Sequence, residues 1–205
     1  MTDRIHRRLT SAARRQQIID KATESFSRFG YESTTIAGLA KSCDITEPAL
    51  YRYFSSKEEL FSEVLKGLGE KINTDGLDAI VANLNDIEEI LFAISRHIFQ
   101  TYLDNPELSR LLLFCSLKGH FMTRNVVDTL RVPYITILRR SLERLKGENL
   151  IQPVNPTITA SCFTGMVSEC VLGLNLWKGM QGGDFKPEQT MKNNVPIFAR
   201  GLRKN

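Results

Sequence analysis

The sequence predicts an all-α protein: an N-terminal three-helix module of helix-turn-helix form, then a larger helical domain. Two observations carry this. Apolar residues recur three or four apart along most of the 205 residues, and no strict alternation of the kind strands need persists anywhere. Capping and stopping residues also punctuate those periodic runs where helices should begin and end.

Composition sets the class. The chain is 42% hydrophobic and 24% charged, as an ordinary globular protein is, and long enough for one large domain or two small ones. Its net charge of +4 and pI near 8.9 are only mildly basic. The distribution says more. Arg4, Arg7, Arg8, Arg14 and Arg15 face only Asp3 in the first fifteen residues, so the tip holds an excess equal to that of the whole chain. A basic arm over residues 1–12 fits a polyanion such as nucleic acid; a frayed, solvated terminus is the alternative. No apolar run of a secretory signal opens the chain, and "LSRLLLFCSL" is broken by Arg110 and too short to span a bilayer. A cytoplasmic protein is expected. Cys43, Cys115, Cys162 and Cys170 lack metal-ligand spacing, so free thiols and no metal are expected.

The elements follow in order. From Ala13, residues Ile18, Ile19, Ala22, Phe26 and Phe29 form one apolar stripe, and Gly30 stops the helix. Thr34 or Thr35 caps a second helix bearing Ile36, Leu39 and Ala40. Asp44 ends it in a turn that requires tolerance of positive φ. Thr46 caps a third helix of roughly two turns. Glu47 there suits the helix dipole, and Pro48 sits in the first turn, where no intrahelical N–H bond is lost. Leu50 and Phe54 face inward. Ser56-Lys57-Glu58-Glu59 is a capping box opening a helix to about Asn73, with Gly67 and Gly69 as soft points. Beyond it, helices are predicted over about 86–103, 106–118, 123–146 (kinked near Pro133), 157–180 and 187–202, with Gly182-Gly183 as a turn.

The second and third helices meet across a tight turn, which is helix-turn-helix geometry. The third helix then presents its N-terminal end to a major groove. Thr46, Glu47, Pro48, Ala49, Tyr51, Arg52 and Tyr53 are the candidates for contact. Pro48 and Ala49 suit a thymine methyl, the tyrosine hydroxyls suit phosphates, and Arg52 suits guanine or phosphate. Lys57, at the next helix N-terminus, is a candidate phosphate ligand, and so is Thr35. A generic helical core with both tyrosines as surface packing is the bland alternative.

The segment "RRQQIIDKATESFSRFGYESTTIAGLAKSCDITEPALYRYFSSKEELFSEVL" strongly resembles the DNA-binding domain of the tetracycline-repressor (TetR) family of bacterial regulators. The matching features are Ile18-Ile19, Ala22, Phe26, Gly30-Tyr31, Thr34-Thr35, Leu39-Ala40, Leu50-Tyr51, Tyr53-Phe54 and Ser56-Lys57-Glu58 with Leu60. Two departures stand out. Cys43-Asp44 replaces the family's usual Ala-Gly turn, and Glu47-Pro48 stands where many members have lysine and glycine. The resemblance implies about nine helices, a homodimer through the last two, and a ligand pocket in the C-terminal domain. Domain expectations are a flexible arm over 1–12, a DNA-binding domain over 13–60, and a ligand-binding and dimerisation domain over 61–205.

Residues 157–180 are apolar on more than one side, so that helix is read as buried both in the protomer and against a partner. Phe163, Val167, Leu174 and Trp177 are its expected large packing residues, joined by Val195, Phe198, Ala199 and Leu202 from the last helix. Candidate pocket residues are Phe92, Phe99, Tyr102, Leu112, Phe114, Cys115, Phe121, Met122, Tyr134, Phe163, Met166 and Trp177, any of which also fits plain core. His97 and His120 are possible polar contacts. Cys162 and Cys170 stand about 12 Å apart along one helix and cannot bridge within it.

The functional expectation is a ligand-responsive transcription repressor, dimeric on an inverted-repeat operator, released by a small hydrophobic effector. An activator or a cysteine redox regulator is the alternative. No nucleophile elbow, zinc-protease motif or phosphate-binding glycine loop is present, so neither catalysis nor a cofactor is expected.

Overall fold

In the computed structural model the described residues are 9–118, 121–176 and 186–204, with side chains described at all of these except 115–118, 121–123 and 175–176. They form eleven helices: α1 Ser11–Ser33, α2 Ile36–Ser42, α3 Glu47–Tyr51, α4 Lys57–Lys71, α5 Asp75–Ala82, α6 Ile87–Asp104, α7 Pro106–Lys118, α8 Phe121–Leu130, α9 Val132–Gly147, α10 Pro156–Leu176 and α11 Pro187–Leu202. No strand occurs among the described residues; one isolated antiparallel bridge joins Ile151 and Arg203. The chain divides into two compact units, Met1–Gly67 and Leu68–Asn205, and the division falls inside α4.

In the first unit, Thr10 Oγ1 accepts the Ala13 N–H at 3.2 Å and starts α1. Ile18, Ala22 and Phe26 are fully buried. Phe29, expected on the same stripe, is instead 53% exposed. The backbone leaves helical geometry at Gly30 (φ 80°, ψ 167°) just after it, and the half-buried Tyr31 turns its ring to the core edge instead. Its ring stacks on Phe26 at 5.6 Å and meets the edge of Phe61 from α4 at 5.1 Å. Phe26 and Phe61 also meet edge to face at 5.1 Å, so three rings tie α1 to α4.

The second unit corrects three expectations. Residues Asp75–Ala82 form a helix, burying Leu77 and Val81, where none was anticipated. The expected long helix over 123–146 is two helices, α8 and α9, separated at Arg131 (φ −117°, ψ −40°). Pro133 lies in the first turn of α9, where its missing N–H costs nothing, so it marks a start and not a kink. The described helices therefore number eleven where about nine were implied.

The core of this unit gathers Ile90, Leu91 and Ile94 from α6, Leu108 and Leu111 from α7, Val126 and Leu130 from α8, Leu138 and Leu142 from α9, Phe163 and Val171 from α10, and Val195 and Ala199 from α11. α10 packs against α9, α6 and α7, and α11 packs against α6. Of the large packing residues expected on the last two helices, Phe163, Val167, Val195, Ala199 and Leu202 are buried, Leu174 is half-buried, and Phe198 meets Phe163 edge to face at 5.0 Å. Arg203 fixes the C-terminus to the start of α6 through Asp86 and Glu88, each at 3.0 Å.

Candidate nucleic-acid interface

The turn between α2 and α3 is built by backbone. Ile45 N–H donates to the Ala40 carbonyl at 3.0 Å and Asp44 N–H to Lys41 at 3.2 Å. This paired closure needs a left-handed residue just past the helix end, and Asp44 supplies it with φ 53°. Cys43 is fully buried beneath the turn, and burial pushes its thiol up, which keeps it protonated. Arg14 holds the turn from α1: its Nη1 donates to the Cys43 carbonyl at 2.9 Å and to Gln17 Oε1 at 2.7 Å. Arg15 pairs with Glu63 at 2.8 Å and lies 4.8 Å from the centre of the Phe54 ring. Two of the five arginines read as a basic arm thus brace the fold. The other three lie outside the described residues.

α2 and α3 are capped as expected. Thr35 Oγ1 accepts the Gly38 N–H at 3.1 Å, and Thr46 Oγ1 accepts the Ala49 N–H at 3.3 Å. α3 itself spans only five residues, with Glu47 and Pro48 in its first turn. Leu50 and Phe54 are buried, as their i, i+4 spacing requires. The opposite face is open: Thr46, Glu47, Pro48, Tyr51 and Arg52 are exposed, and Ala49 and Tyr53 half-buried. Tyr51 keeps 49% of its surface in solvent. Among the described residues, the side chains of Tyr51 and Arg52 have no hydrogen-bond or ion-pair partner. They are free to engage a ligand.

Lys57 is less free. Its ammonium lies 4.2 Å from the centre of the Tyr31 ring, with the Glu32 carbonyl at 3.5 Å. Burial lowers it below its ordinary value, against opposing carboxylates at Glu32 and Glu58. Tyr31 Oη donates to Glu58 Oε1 at 2.8 Å, completing a small cluster at the start of α4. Ser56 Oγ accepts the Glu59 N–H at 3.1 Å, as the capping box predicts, but Glu59 reaches back to the N–H and hydroxyl of Ser55, both at 2.6 Å, and not to Ser56. Sequence reasoning missed Arg14 and the bracing role of Tyr31; both contacts span more than twenty residues and leave no local pattern.

The expected pocket residues fall into three groups. Phe99, Tyr102, Leu112, Tyr134 and Phe163 are buried in the core of the second unit. Phe92 and Met166 are half-buried, and Phe114 is exposed. Cys115, Phe121, Met122 and Trp177, with His120, lie outside the residues whose side chains are described. The core contains a polar seam. Tyr134 Oη lies 3.0 Å from His97 Nδ1 and 3.3 Å from Thr101 Oγ1, and Tyr102 Oη donates to the Leu130 carbonyl at 3.0 Å. Burial pushes both phenols up, Tyr134 to about 12, so each remains a donor. A separate surface cleft of about 580 Å³ between α5 and α9 is lined by Asp75, Asp78, Ala79, Ala82, Ile137, Arg140, Ser141 and Arg144, none of them an expected pocket residue.

A two-helix reader set on a left-handed turn, with an unpartnered polar face and a third helix bracing it, defines a helix-turn-helix DNA-binding protein of the transcription-regulator class. Residues 18–64 match the model of the bacterial regulatory proteins of the tetR family. Over those residues the chain carries the DNA-binding module of that family. It is 24% identical over 159 residues to the uncharacterized HTH-type transcriptional regulator YhgD of Bacillus subtilis, covering 73% of this chain and 78% of that one. It is 32% identical over 148 residues to the nucleoid occlusion factor SlmA of Haemophilus influenzae, covering 67% and 65% of the two chains. The alignment thus spans slightly less than two thirds of SlmA. Among solved structures, AibR in complex with isovaleryl coenzyme A and operator DNA superposes with a TM-score of 0.68 at 24% identity, over 90% of this chain and 97% of that one, a likeness of fold.

Proposed function

We propose that this protein is a ligand-responsive transcription repressor that binds an inverted-repeat operator as a homodimer and is released by a small effector held in the second unit. The observation that carries the reading is the open face of α3, where Tyr51 and Arg52 have no intramolecular side-chain partner among the described residues and the residues behind them are locked into the core. Phosphates position such a module and base edges specify it. Thr46, Glu47, Pro48, Ala49, Tyr51, Arg52 and Tyr53 form the reading surface, with Thr35 and Lys57 at its phosphate-facing edges.

Dimerisation is supported by α10. Its stretch Pro156–Leu174 has a mean hydropathy of 1.3, and it is the one helix among the described residues long and apolar enough to cross a bilayer. Only 28% of that stretch is buried within the protomer. Ile158 on α10 and Ile197 on α11 are 62% and 57% exposed. A second copy covering this face accounts for its composition. Paired readers must then meet half-sites about 34–36 Å apart, so an effector that moves the end of α4 changes the fit at both. AibR, a protein of similar fold, has been seen in complex with isovaleryl coenzyme A and operator DNA, so this fold can hold an acyl coenzyme A together with DNA.

Selection of genomic fragments by the purified protein, followed by anisotropy titration at several salt concentrations, tests the reading. Recovery of an inverted repeat bound tightly by dimers, with affinity falling steeply with salt, is the expected result. Equal affinity for random DNA would refute it.

A further inference from the structure

Arg131 stands at the break between α8 and α9, beside the polar seam of the second unit. Its Nε is buried and has no hydrogen-bond partner. Among the described residues its guanidinium forms no ion pair. It lies against α10 at Gly165, where an added Cβ would stand 3.3 Å from the Arg131 Nη2. It is also near enough to the Tyr102 hydroxyl to act on it electrostatically. Other arginines of this unit have a carboxylate or carbonyl partner: Arg140 with Asp78, Arg144 with Asn85 and Glu148, Arg203 with Asp86. Burying part of a guanidinium without a counter-charge is costly, and the fold retains it.

We infer that Arg131 is the anion receptor of the effector site, and that the effector is an amphipathic oxyanion, a carboxylate or a phosphate ester, with its head on Arg131 and its apolar part directed toward the apolar helices of the second unit. A guanidinium presents a planar fork of donors that matches either head group. The positive end of the α9 dipole faces the same junction. The placement also supplies a route to α4. Thr129, two residues before Arg131, approaches Gly69 of α4 so closely that a Cβ there would lie 2.8 Å from its Cγ2. An anion drawn onto Arg131 shifts the junction that α4 rests on. This rests on the ligand-responsive reading above, but the binding test needs no operator, so the two fail separately.

The test measures melting temperature and calorimetric affinity of the DNA-free protein with butyrate, octanoate, laurate, palmitate, dodecyl phosphate and lauroyl coenzyme A, against the alcohols of the same chain lengths. Stabilisation by one head-group class, and none by the matching alcohols, is expected; which class binds separates carboxylate from phosphate. Arg131→Gln should weaken that binding roughly tenfold or more, the loss of one charged hydrogen-bonding partner, with Arg131→Lys recovering part of it. Without ligand, Arg131→Gln should melt at or near the wild-type temperature, because it removes a half-buried guanidinium that has no counter-charge. Equal stabilisation by acids and alcohols, no response to any oxyanion, or an Arg131→Gln protein that is markedly less stable without ligand overturns the inference. The comparison of acid with alcohol in the wild type decides the head-group class, and the affinity of Arg131→Lys decides the residue.

Discussion

Gly69 and Thr129 meet at a distance that only glycine permits: a Cβ at residue 69 would lie 2.8 Å from the Thr129 Cγ2, whereas one at Gly67, two residues earlier on the same helix, would meet nothing within 4 Å. Both glycines read alike in the sequence, as soft points in α4. Their surroundings separate them.

Alanine at these positions should therefore act in opposite directions. Gly67→Ala gains helix propensity and should stabilise by up to about 1 kcal/mol. Gly69→Ala gains the same propensity but overpacks against a stiff β-branched side chain, which costs about 1–3 kcal/mol. Urea unfolding should show a net loss for Gly69→Ala, with Thr129→Ser in the same chain recovering it. Equal stabilisation by both alanines would rule out the close contact.

The first unit was largely legible because its signals are local. Thr35, Thr46 and Ser56 cap within three residues, and Asp44 shows its tolerance of positive φ in its own side chain. The second unit was less so. α5 offers only two buried residues, Leu77 and Val81, over eight positions, too few for a periodic signal. The break at Arg131 interrupts a continuous apolar rhythm, although Pro133 two residues later is a start signal that the proline rule could have found. The contacts His97–Tyr134 and Arg14–Cys43 join residues 37 and 29 apart, and nothing in either segment announces the other.

Arg14 is expected to act through stability and not through phosphate contact. Its bond to the Cys43 carbonyl holds the reader turn at 2.9 Å. Arg14→Met should cost about 1 kcal/mol of stability, the typical net worth of one such bond. Operator affinity should fall with it only as far as the turn loosens, so the slope of log K against log salt should stay that of the wild type. A slope reduced by about one unit would instead mean that a phosphate contact had been lost.

Tyr51 is the most direct test of the reading surface. It is half in solvent, next to the buried Leu50, and its hydroxyl has no partner among the described residues. Tyr51→Ala should weaken operator binding by about 1–3 kcal/mol while leaving folding and assembly unchanged. Tyr51→Phe divides the effect between hydroxyl and ring. Unchanged affinity of the alanine variant, measured by anisotropy, would remove Tyr51 from the interface.

His97 gives the second unit a pH dependence of defined sign. Burial holds its ring below the ordinary 6.5, against a smaller opposing contribution from the Asn73 backbone. As pH falls through 6.5 the unfolded chain takes up a proton that the folded chain does not. Stability is therefore full above that point, is lost progressively on acidification, and levels off below the folded value. His97→Gln keeps a polar neighbour for Tyr134 and removes the proton. Its urea midpoint should change less than that of the wild type between about pH 7.5 and about pH 5.5. An unaltered profile would place the titrating group elsewhere.

The open face of α10 and α11 should disappear on assembly. Ile158 and Ile197 expose more than half of their surfaces in the protomer, and the helix carrying Ile158 is apolar well beyond its buried side. Burying each isoleucine in an interface contributes about 1.5–3 kcal/mol, so charging both removes several kcal/mol from association. The double variant Ile158→Glu, Ile197→Glu should sediment as a monomer where the wild type sediments as a dimer. Its second-unit core residues Phe163 and Ala199 lie on the opposite side of these helices and are fully buried within the protomer, so the monomer should remain folded. It should also lose tight operator binding, because two half-sites no longer share one association step. A variant that stays dimeric would move the interface off these two positions, and a wild type that is itself monomeric on DNA would remove the need for a paired operator.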